Sequence, residues 1–373
     1  MKIVVALDKF KGSLTAPRAG EIVRDALVSV RPEWHVVMKP MADGGDGTDE
    51  TLLAAFGGEW MTHSVMGPLP PMVCAARYAW LTREGAAVVA TASASGLILL
   101  KPEQRNPLLT TTYGTGELIR AAVERGAERI WLGVGGSATV DGGVGAAMAL
   151  GWRFLDARGE PIGLGGGELE RIARMDAPVD LRMPRVEVLC DVDNPLCGEH
   201  GAAHVFGPQK GATPAMAERL DAGLRHLADL VKEQLGNDIA HVPGAGAAGG
   251  LAAGAMAFMD AQLVPGVETV IRACGLEAEL ADADWVITGE GRFDEQSLRG
   301  KVVSGVTSLA VKHVVKVAVL AGSVQVSEEI YRREGINVAL PTMKPGMELS
   351  EAMACAEELL ASAARELAER IAT

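Results

Sequence analysis

Short apolar runs alternate along the chain with stretches in which apolar residues recur every three or four positions. Residues 3–7 form a continuous apolar run, which is typical of a strand buried on both faces of a sheet. From Ala19 to Val30 the apolar side chains then fall at helical spacing, with Thr15 placed to cap the helix and Pro32 placed to end it. The pattern predicts a β-loop-α unit at the start of the chain.

The same alternation returns near the other end of the sequence. Apolar runs at 285–288, 317–320 and 337–340 are each followed by a loop that contains glycine or proline. A closing helix is predicted from one apolar face, made of Met353, Ala356, Leu360, Ala364, Leu367 and Ile371. Because strands alternate with helices, we expect a parallel sheet with right-handed crossovers, and ligand-binding loops at the carboxyl ends of its strands.

The middle of the chain is less regular. Segments 72–80 and 86–90 are typical of a hairpin. Residues 130–134 and 186–190 are typical of buried strands, and a long helix is predicted over 214–235.

A chain of 373 residues suggests two domains, at roughly 100–200 residues each. We expect an α/β protein in which residues 1–68 and 282–373 form a discontinuous Rossmann-like domain with a parallel sheet. Residues 69–281 are expected to form an inserted α/β domain.

Net charge and cysteine spacing indicate which partners and which cell compartment to expect. The net charge is −13, which argues against nucleic acid or an anionic membrane as the partner. Five widely spaced cysteines without a CxxC pair fit reduced thiols in a cytosol. The first apolar run is too short for a signal peptide, and no stretch approaches the ~18 apolar residues of a spanning helix. We expect a cytoplasmic protein.

Glycine-rich loops are the strongest chemical signal. The chain contains 45 glycines, about 12% of its residues against a usual ~7%. Loops such as Gly135-Gly136-Ser137 and Gly244-Ala245-Gly246 adjoin helical patterns, where backbone N–H groups approach a phosphate. Close packing of helix on sheet also explains each loop taken singly. No GxGxxG follows a predicted strand, and Gly300-Lys301 lacks the other residues of a P-loop.

Charged residues in the loops form a second signal. Acidic residues at predicted strand ends are Asp8, Asp43, Asp141, Asp191, Asp193, Glu290 and Asp294. Phosphoryl transfer requires carboxylates to hold Mg²⁺ and one to accept the proton of the attacking hydroxyl. Loop aspartates also cap turns and helices, so each residue alone fits both interpretations. Lys11, Lys210 and Lys301 lie in glycine-containing loops and are candidates to neutralise a phosphate or carboxylate.

Taken together, these loops resemble those of the bacterial type I glycerate kinase family, in the order of that family. The matching segments are ALDKFKGSL at 6–14, ADGGDGT at 42–48, ASGL at 94–97, GTGEL at 114–118, GGSATVDGG at 135–143, CDVDNPL at 190–196, FGPQKGA at 206–212, PGAGAAGG at 243–250 and VITGEGR at 286–292. Two positions depart from the pattern. Ala90 stands where an acidic residue is common, which bears on acceptor specificity, and Leu7 stands where proline is frequent.

The resemblance implies a two-domain α/β kinase with its active site in the cleft between the domains. It implies ATP and Mg²⁺ as co-reactants and D-glycerate as the acceptor, phosphorylated at O2 to give 2-phospho-D-glycerate. Phosphorylation at O3, a related small hydroxy acid as acceptor, and a non-catalytic sensor of sugar acids remain alternatives. An NAD-dependent dehydrogenase would require the absent GxGxxG. A monomer or a homodimer is expected.

Candidate roles follow for individual residues. Asp191 is expected to accept the hydroxyl proton, and Lys11 and Arg292 to hold the carboxylate of glycerate. Asp43 and Glu290 are expected to bind Mg²⁺ directly or through water. Further residues expected to bind the acceptor are Asp8, Ser13, Ser95 and Asn194. Residues expected to bind the nucleotide are Gly135, Gly136, Ser137, Lys210, Gly244, Gly246 and Lys301.

Overall fold

The computed structural model describes residues 1–372. Fifteen strands lie within this part of the chain. In chain order they are β1 (Lys2–Leu7), β2 (His35–Met38), β3 (Glu59–Met66), β4 (Val73–Leu81), β5 (Ala86–Ala90), β6 (Arg129–Gly133), β7 (Arg153–Leu155), β8 (Arg174–Asp176), β9 (Arg185–Leu189), β10 (Gln262–Val264), β11 (Trp285–Gly289), β12 (Arg292–Phe293), β13 (Lys316–Ala321), β14 (Ser323–Val324) and β15 (Val338–Pro341).

Fourteen α-helices accompany the strands in the same described range. They are α1 (Ala16–Val30), α2 (Thr48–Phe56), α3 (Thr91–Ser95), α4 (Tyr113–Glu124), α5 (Val144–Ala149), α6 (Ala202–Phe206), α7 (Pro214–Leu235), α8 (Ala247–Met259), α9 (Gly266–Ala273), α10 (Leu276–Leu280), α11 (Val302–Lys312), α12 (Glu328–Arg333), α13 (Leu349–Ala354) and α14 (Ala356–Ile371). Within residues 1–372, none of them combines the length and apolar character needed to cross a membrane.

Contacts within the chain divide it into two compact units. Unit 1 contains Met1–Asp43, Glu50–Phe56 and the described residues from Gly266 onward. Unit 2 contains Gly44–Asp49 and Gly57–Pro265. These bounds differ from the predicted breaks after residues 68 and 281, because β3 pairs with β4 in unit 2 while α9 and α10 belong to unit 1. The division into two domains at residues 68 and 281 stays a prediction.

The sheet of unit 1 has five strands in the order β15-β13-β11-β1-β2, all parallel. If these strands are counted along the chain, the order is 2-1-3-4-5, which is a doubly wound arrangement. The direction of winding reverses between β1 and β11. Open sheets of this kind bind ligands at that switch point, outside the carboxyl ends of the strands.

Helices α1 and α14 cover one face of this sheet. Helix α1 begins as predicted, because the side chain of Thr15 accepts a hydrogen bond from the backbone N–H of Arg18 and Pro17 occupies the first turn. Its buried face packs with that of α14 against Ile3, Val5 and Leu7 of β1. The residues of β1 that point to the opposite face of the sheet are buried as well, so the sheet is covered on both faces.

The main sheet of unit 2 has six strands in the order β10-β9-β6-β5-β4-β3. Strands β10, β9, β6 and β5 pair in parallel, whereas β4 pairs antiparallel with both β5 and β3. The carboxyl ends of four strands therefore lie at one edge of this sheet. A small antiparallel pair, β7 and β8, and a helical core that includes α7 complete the unit.

Two differences from the predicted elements matter for the site. Strand β3 was not predicted, because only Val65 among its residues is fully buried and the edge strand carries no regular apolar alternation. The predicted closing helix is wrong in one respect: it is broken at Cys355, whose φ and ψ are −105° and 19°. Met353 therefore lies on a separate short helix, α13, and not on the face of α14.

Candidate active site

Two carboxyl groups lie at the switch point of unit 1. Asp8 follows β1 directly, and Glu290 follows β11 directly. The two strands are neighbours, with Leu7 in register with Gly289, and the backbone N–H of Asp8 donates to the carbonyl oxygen of Gly289 at 2.9 Å. The parallel register therefore places both acidic residues at the same edge of the sheet.

Asp8 is a buried carboxyl with an unusual proton affinity. Its side chain is only 7% exposed, and burial raises the pKa of Asp8 to about 7, with the negative charges of Asp43 and Glu290 adding to the effect. The charge of Lys9 opposes this rise in pKa, as does its backbone N–H, which donates to Oδ1 of Asp8 at 2.7 Å. The Lys9 ammonium also lies 3.8 Å from Oδ1 of Asp43. Asp8, Asp43 and Glu290 thus share one electrostatic environment.

Glu290 has an oxygen that the protein leaves without a hydrogen bond. Its Oε1 atom is buried and has no partner among the described residues. Burial also raises the pKa of Glu290, while a hydrogen bond from Ser297 and the charge of Lys301 oppose that rise. Buried acceptors without partners are rare, so this atom is suited to a ligand that brings a positive charge or a proton.

The loop after β1 carries Lys11 and Ser13. It is closed by hydrogen bonds between the backbone groups of Phe10 and Leu14, and the hydroxyl of Ser13 donates to the carbonyl oxygen of Phe10 at 3.0 Å. Lys11 is exposed and lines a cavity of about 160 Å³. The loop therefore presents one lysine beside the carboxyl edge of the sheet.

The two other predicted cations of unit 1 differ in their settings. The exposed side chain of Arg292 forms an ion pair with Asp294 at 2.7 Å. Lys301 is the N-terminal capping residue of α11, where its backbone N–H donates to Oγ of Ser304 at 3.0 Å. The charge of Lys301 acts on Glu290, as described above.

The predicted residues of unit 2 also lie at the carboxyl edge of a parallel sheet. Ser95 ends the short helix α3 after β5, the loop at 135–137 follows β6, and Asp191 and Asn194 follow β9. Strands β5, β6 and β9 are neighbours in the sheet. Because the carboxyl ends of parallel strands meet at one edge of a sheet, these loops lie along one edge of the unit 2 sheet. Asp8 and Glu290 are grouped in the same way in unit 1.

The loop Gly135-Gly136-Ser137 depends on glycine for its path. A Cβ atom on Gly135 would lie 2.6 Å from the backbone nitrogen of Asp46, and Gly136 has φ of +67°. The loop is tied to the segment after β5, because Leu97 donates to the carbonyl oxygen of Gly136 at 2.8 Å. Close backbone approach explains the two glycines without a ligand, and their role in binding phosphate stays a prediction.

Lys210 is buried and anchors this loop. It is 2% exposed, and its ammonium donates to Oγ of Ser137 at 2.7 Å and to the carbonyl oxygen of Thr139 at 2.8 Å. Burial lowers the pKa of Lys210 to about 7, and the negative charge of Asp141 opposes that change. The side chain is therefore placed to position the loop, and a direct contact with nucleotide stays a prediction.

Asp141, one of the strand-end acids, is a structural residue. Its fully buried carboxylate accepts hydrogen bonds from the hydroxyl groups of Thr111 and Thr112 and from the backbone N–H groups of Thr112, Gly143 and Gly145. Burial raises the pKa of Asp141, and the hydrogen bonds from Thr112 and the two glycines oppose that rise. These contacts hold the start of α5 against the start of α4.

Ser95 and Asn194 have protein partners for their side chains. The buried hydroxyl of Ser95 accepts a hydrogen bond from Oγ1 of Thr115 at 2.8 Å. The side-chain amide of Asn194 donates to the carbonyl oxygen of His200 at 2.9 Å. Both side chains are thus engaged with the protein, and their roles in binding the acceptor stay predictions. Asp191 is exposed to solvent.

Gly244 and Gly246 support the loop that carries Asp191. A Cβ atom on Gly246 would lie 2.3 Å from the carbonyl oxygen of Pro195, and the N–H of Gly246 donates to the carbonyl oxygen of Asn194 at 3.0 Å. Gly244 has φ of +86°. Both glycines therefore bring the two loops of unit 2 into close contact.

Three residues near the site were not predicted. Ser323, Thr342 and Met343 line the same cavity as Lys11; Ser323 begins β14 shortly after β13, and Thr342 and Met343 follow β15. None of the three is an acid, a lysine or a glycine, so the sequence signals described above did not indicate them. Their position at the carboxyl ends of parallel strands is the signal that identifies them.

Comparison with known proteins gives a consistent result. The model of the glycerate kinase family matches residues 3–372. A glycerate kinase from Halalkalibacterium halodurans is 48% identical over 98% of this chain and 97% of its own length. Glycerate 2-kinase from Escherichia coli K12 is 42% identical, with 100% and 98% covered. A crystal structure described as glycerate kinase 2 from Salmonella typhimurium LT2 matches with a TM-score of 0.89 and 42% identity, and covers 100% of this chain and 98% of its own. The chain belongs to the glycerate kinase family.

Proposed function

We propose that this protein transfers the terminal phosphoryl group of ATP to D-glycerate at O2, giving 2-phospho-D-glycerate. The proposal rests on family membership, on the name glycerate 2-kinase carried by the Escherichia coli relative, and on the chemistry at the strand ends. The observation that carries it is the pair of carboxyls at the switch point of the unit 1 sheet, Asp8, which is buried, and Glu290, which is half-buried. Buried acidic groups at such a point are rarely retained for stability alone.

The acidic residues of unit 1 fit Mg²⁺ as a metal that nucleotide phosphates would complete. No group of three or more potential ligand side chains is arranged as a metal site within residues 1–372. Mg²⁺ in kinases is commonly held by one or two carboxylates together with phosphate oxygens. The unpaired Oε1 of Glu290 offers one such ligand, and Asp43 is the second candidate. When bound, Mg²⁺ would neutralise negative charge on the phosphates.

Asp191 is proposed to accept the proton of the attacking hydroxyl. Its carboxylate is exposed at the end of β9, where an incoming molecule has access to it. General base catalysis by such a group contributes about 10²–10⁴ in rate. Lys11 and Arg292 remain candidates to hold the carboxylate of glycerate, because both are exposed cations in the segments that follow β1 and β11 at the carboxyl edge of the unit 1 sheet.

In unit 2, backbone N–H groups of the glycine loops are the proposed phosphate contacts. Lys210 supports them from the interior, because its ammonium holds Ser137 and Thr139 in place. Preorganised donors of this kind stabilise developing charge without having to move during the reaction. Lys210 is accordingly proposed to act through the loop.

The test is an assay of ADP release with D-glycerate, L-glycerate and other small hydroxy acids, followed by NMR of the product. ADP release with D-glycerate and a product phosphorylated at O2 is expected. A product phosphorylated at O3 would support the first alternative. Binding of glycerate without any ADP release would instead support a non-catalytic sensor and exclude the proposed activity.

A further inference from the structure

We propose that the cavity beside Lys11 in unit 1 binds the adenine ring of the nucleotide. This inference rests on the proposed function, because it identifies where the ATP of that reaction is held. The cavity lies within unit 1 and is bounded by the loops after β1, β11, β13 and β15 and by α13. It therefore occupies the carboxyl ends of parallel strands, where doubly wound sheets bind their ligands.

The size of the cavity suits a ring system and excludes a whole nucleotide. Its volume is about 160 Å³. Pockets that enclose a complete drug-sized ligand begin at roughly 300 Å³. An occupant of this cavity must therefore leave the rest of its molecule outside, as a base does when the ribose and phosphates extend beyond it.

The floor of the cavity is built from main chain at Gly291 and Gly322. Gly322 donates to the carbonyl oxygen of Glu290 at 3.2 Å, and Met343 donates to the carbonyl oxygen of Gly322 at 3.0 Å. A Cβ atom on Gly322 would lie only 2.3 Å from the carbonyl oxygen of Gly291. No side chain rises from this floor at Gly291 or Gly322, so a planar ring has room to lie against it.

The walls are apolar and come from several elements. Phe10 lies on the loop after β1, and Leu349, Ala352 and Met353 lie on α13 at the spacing of one helix face. Leu349 and Met353 are 66% and 37% exposed, so α13 offers apolar surface that the protein itself does not bury. Such walls favour the faces of an aromatic ring. They disfavour glycerate, whose carboxylate is costly to remove from water.

Few of the lining side chains are polar. The hydroxyl-bearing residues Ser13, Ser323 and Thr342 line the cavity. Lys11 is the one cation among the lining residues. A few polar groups in an apolar pocket are the usual means of fixing a ligand's orientation.

The test measures binding of ADP and of inorganic pyrophosphate to the full chain by calorimetry. Ala352→Phe places a ring in the cavity and is expected to weaken ADP binding about ten- to hundredfold, with pyrophosphate affinity unchanged. Thr342→Val, which fills no space, is expected to weaken ADP binding several-fold, about 3–10 times. Ala354→Phe, on the exposed side of the same helix, is the matched control and is expected to bind ADP as the wild type does.

Several results would overturn the assignment. Wild-type affinity for ADP in both Ala352→Phe and Thr342→Val would remove the base from this cavity. Equal loss of ADP and pyrophosphate affinity in Ala352→Phe would mean that the cavity holds phosphate. If the wild type binds ADP with the expected variant pattern but releases no ADP with glycerate, the proposed reaction fails and the cavity assignment stands. A wild type that binds no ADP overturns both.

Discussion

The ammonium nitrogen of Lys210 lies 2.7 Å from Oγ of Ser137, across 73 residues of sequence. A second hydrogen bond, to the carbonyl oxygen of Thr139, is 2.8 Å long. Lysines are rarely buried, because their charged form is poorly solvated in the protein interior. In this protein a lysine is nevertheless buried, at a loop that is predicted to contact phosphate. The free-energy cost of burying its ammonium indicates that the shape of that loop matters for activity.

Lys210→Met is expected to lower kcat/KM about tenfold or more, because the loop loses its anchor. Stability is expected to change by less than about 2 kcal/mol, since removal of a buried charge offsets the loss of two hydrogen bonds. Steady-state kinetics with varied ATP and thermal melting give the two readouts. Lys232→Met removes an exposed ion pair on α7 and serves as the control. Unchanged kinetics in Lys210→Met would assign a purely structural role to this lysine.

Asp8→Asn is expected to become progressively more stable than the wild type as pH rises from about 4 to about 7. The folded pKa of Asp8 is about 7, above the ordinary value of 3.8. Between these values the unfolded chain binds fewer protons than the folded protein, so wild-type stability falls with rising pH. The full difference corresponds to about 4 kcal/mol, reached above the folded pKa.

This dependence is measured by denaturant unfolding at several pH values, without nucleotide or Mg²⁺. The asparagine side chain keeps an oxygen that accepts the hydrogen bond from the Lys9 N–H. A constant difference between Asp8→Asn and the wild type across this pH range would contradict the raised pKa.

Glu290→Gln is expected to raise the Mg²⁺ concentration needed for half-maximal activity by at least about tenfold. The change removes a carboxylate whose Oε1 has no protein partner, and it leaves an amide that is a poorer ligand for a cation. Titration of kinase activity with Mg²⁺ tests this, with the exposed Glu295→Gln as control. If Glu290→Gln needs the same Mg²⁺ concentration as the wild type for half-maximal activity, Glu290 does not belong to the metal site.

Asp191→Asn is expected to lower kcat by about 10²–10⁴, the usual contribution of a general base. Thermal stability should be retained, because the side chain is exposed. Asp193→Asn, also exposed and two residues away, is the matched control. If both variants turn over at the wild-type rate, another group accepts the hydroxyl proton.

Much of the fold follows from local pattern. The predicted helix over 214–235 agrees with α7 at both ends, because it has a clear period, with Pro214 in its first turn and Gly236 directly after its last residue. Strand β3 was not predicted from the sequence, because an edge strand with little burial needs no apolar alternation. The break at Cys355 also has no sequence signal, since Met353 and Ala356 continue the helical spacing without interruption.

The site was partly predictable for a related reason. Asp8 and Glu290 were selected because acids at the ends of parallel strands are informative, and the register brings both to one edge. The burial of Lys210 could not be predicted, because a lysine in a glycine-containing loop is expected to be exposed. Only its surroundings in the folded protein show that it is buried. Thr342 and Met343 were missed because they are neither charged nor glycine, although both follow the carboxyl end of β15.

The pairing of β1 with β11 has a consequence during protein synthesis. Ile3 lies in register with Trp285, so the first strand made at the ribosome lacks one of its two neighbours until three-quarters of the chain has been translated. At ~5–20 residues per second, that interval is on the order of tens of seconds. The nearly continuous unit 2 emerges in full before then. One edge of β1, whose residues are apolar on both faces, therefore stays unpaired until β11 emerges.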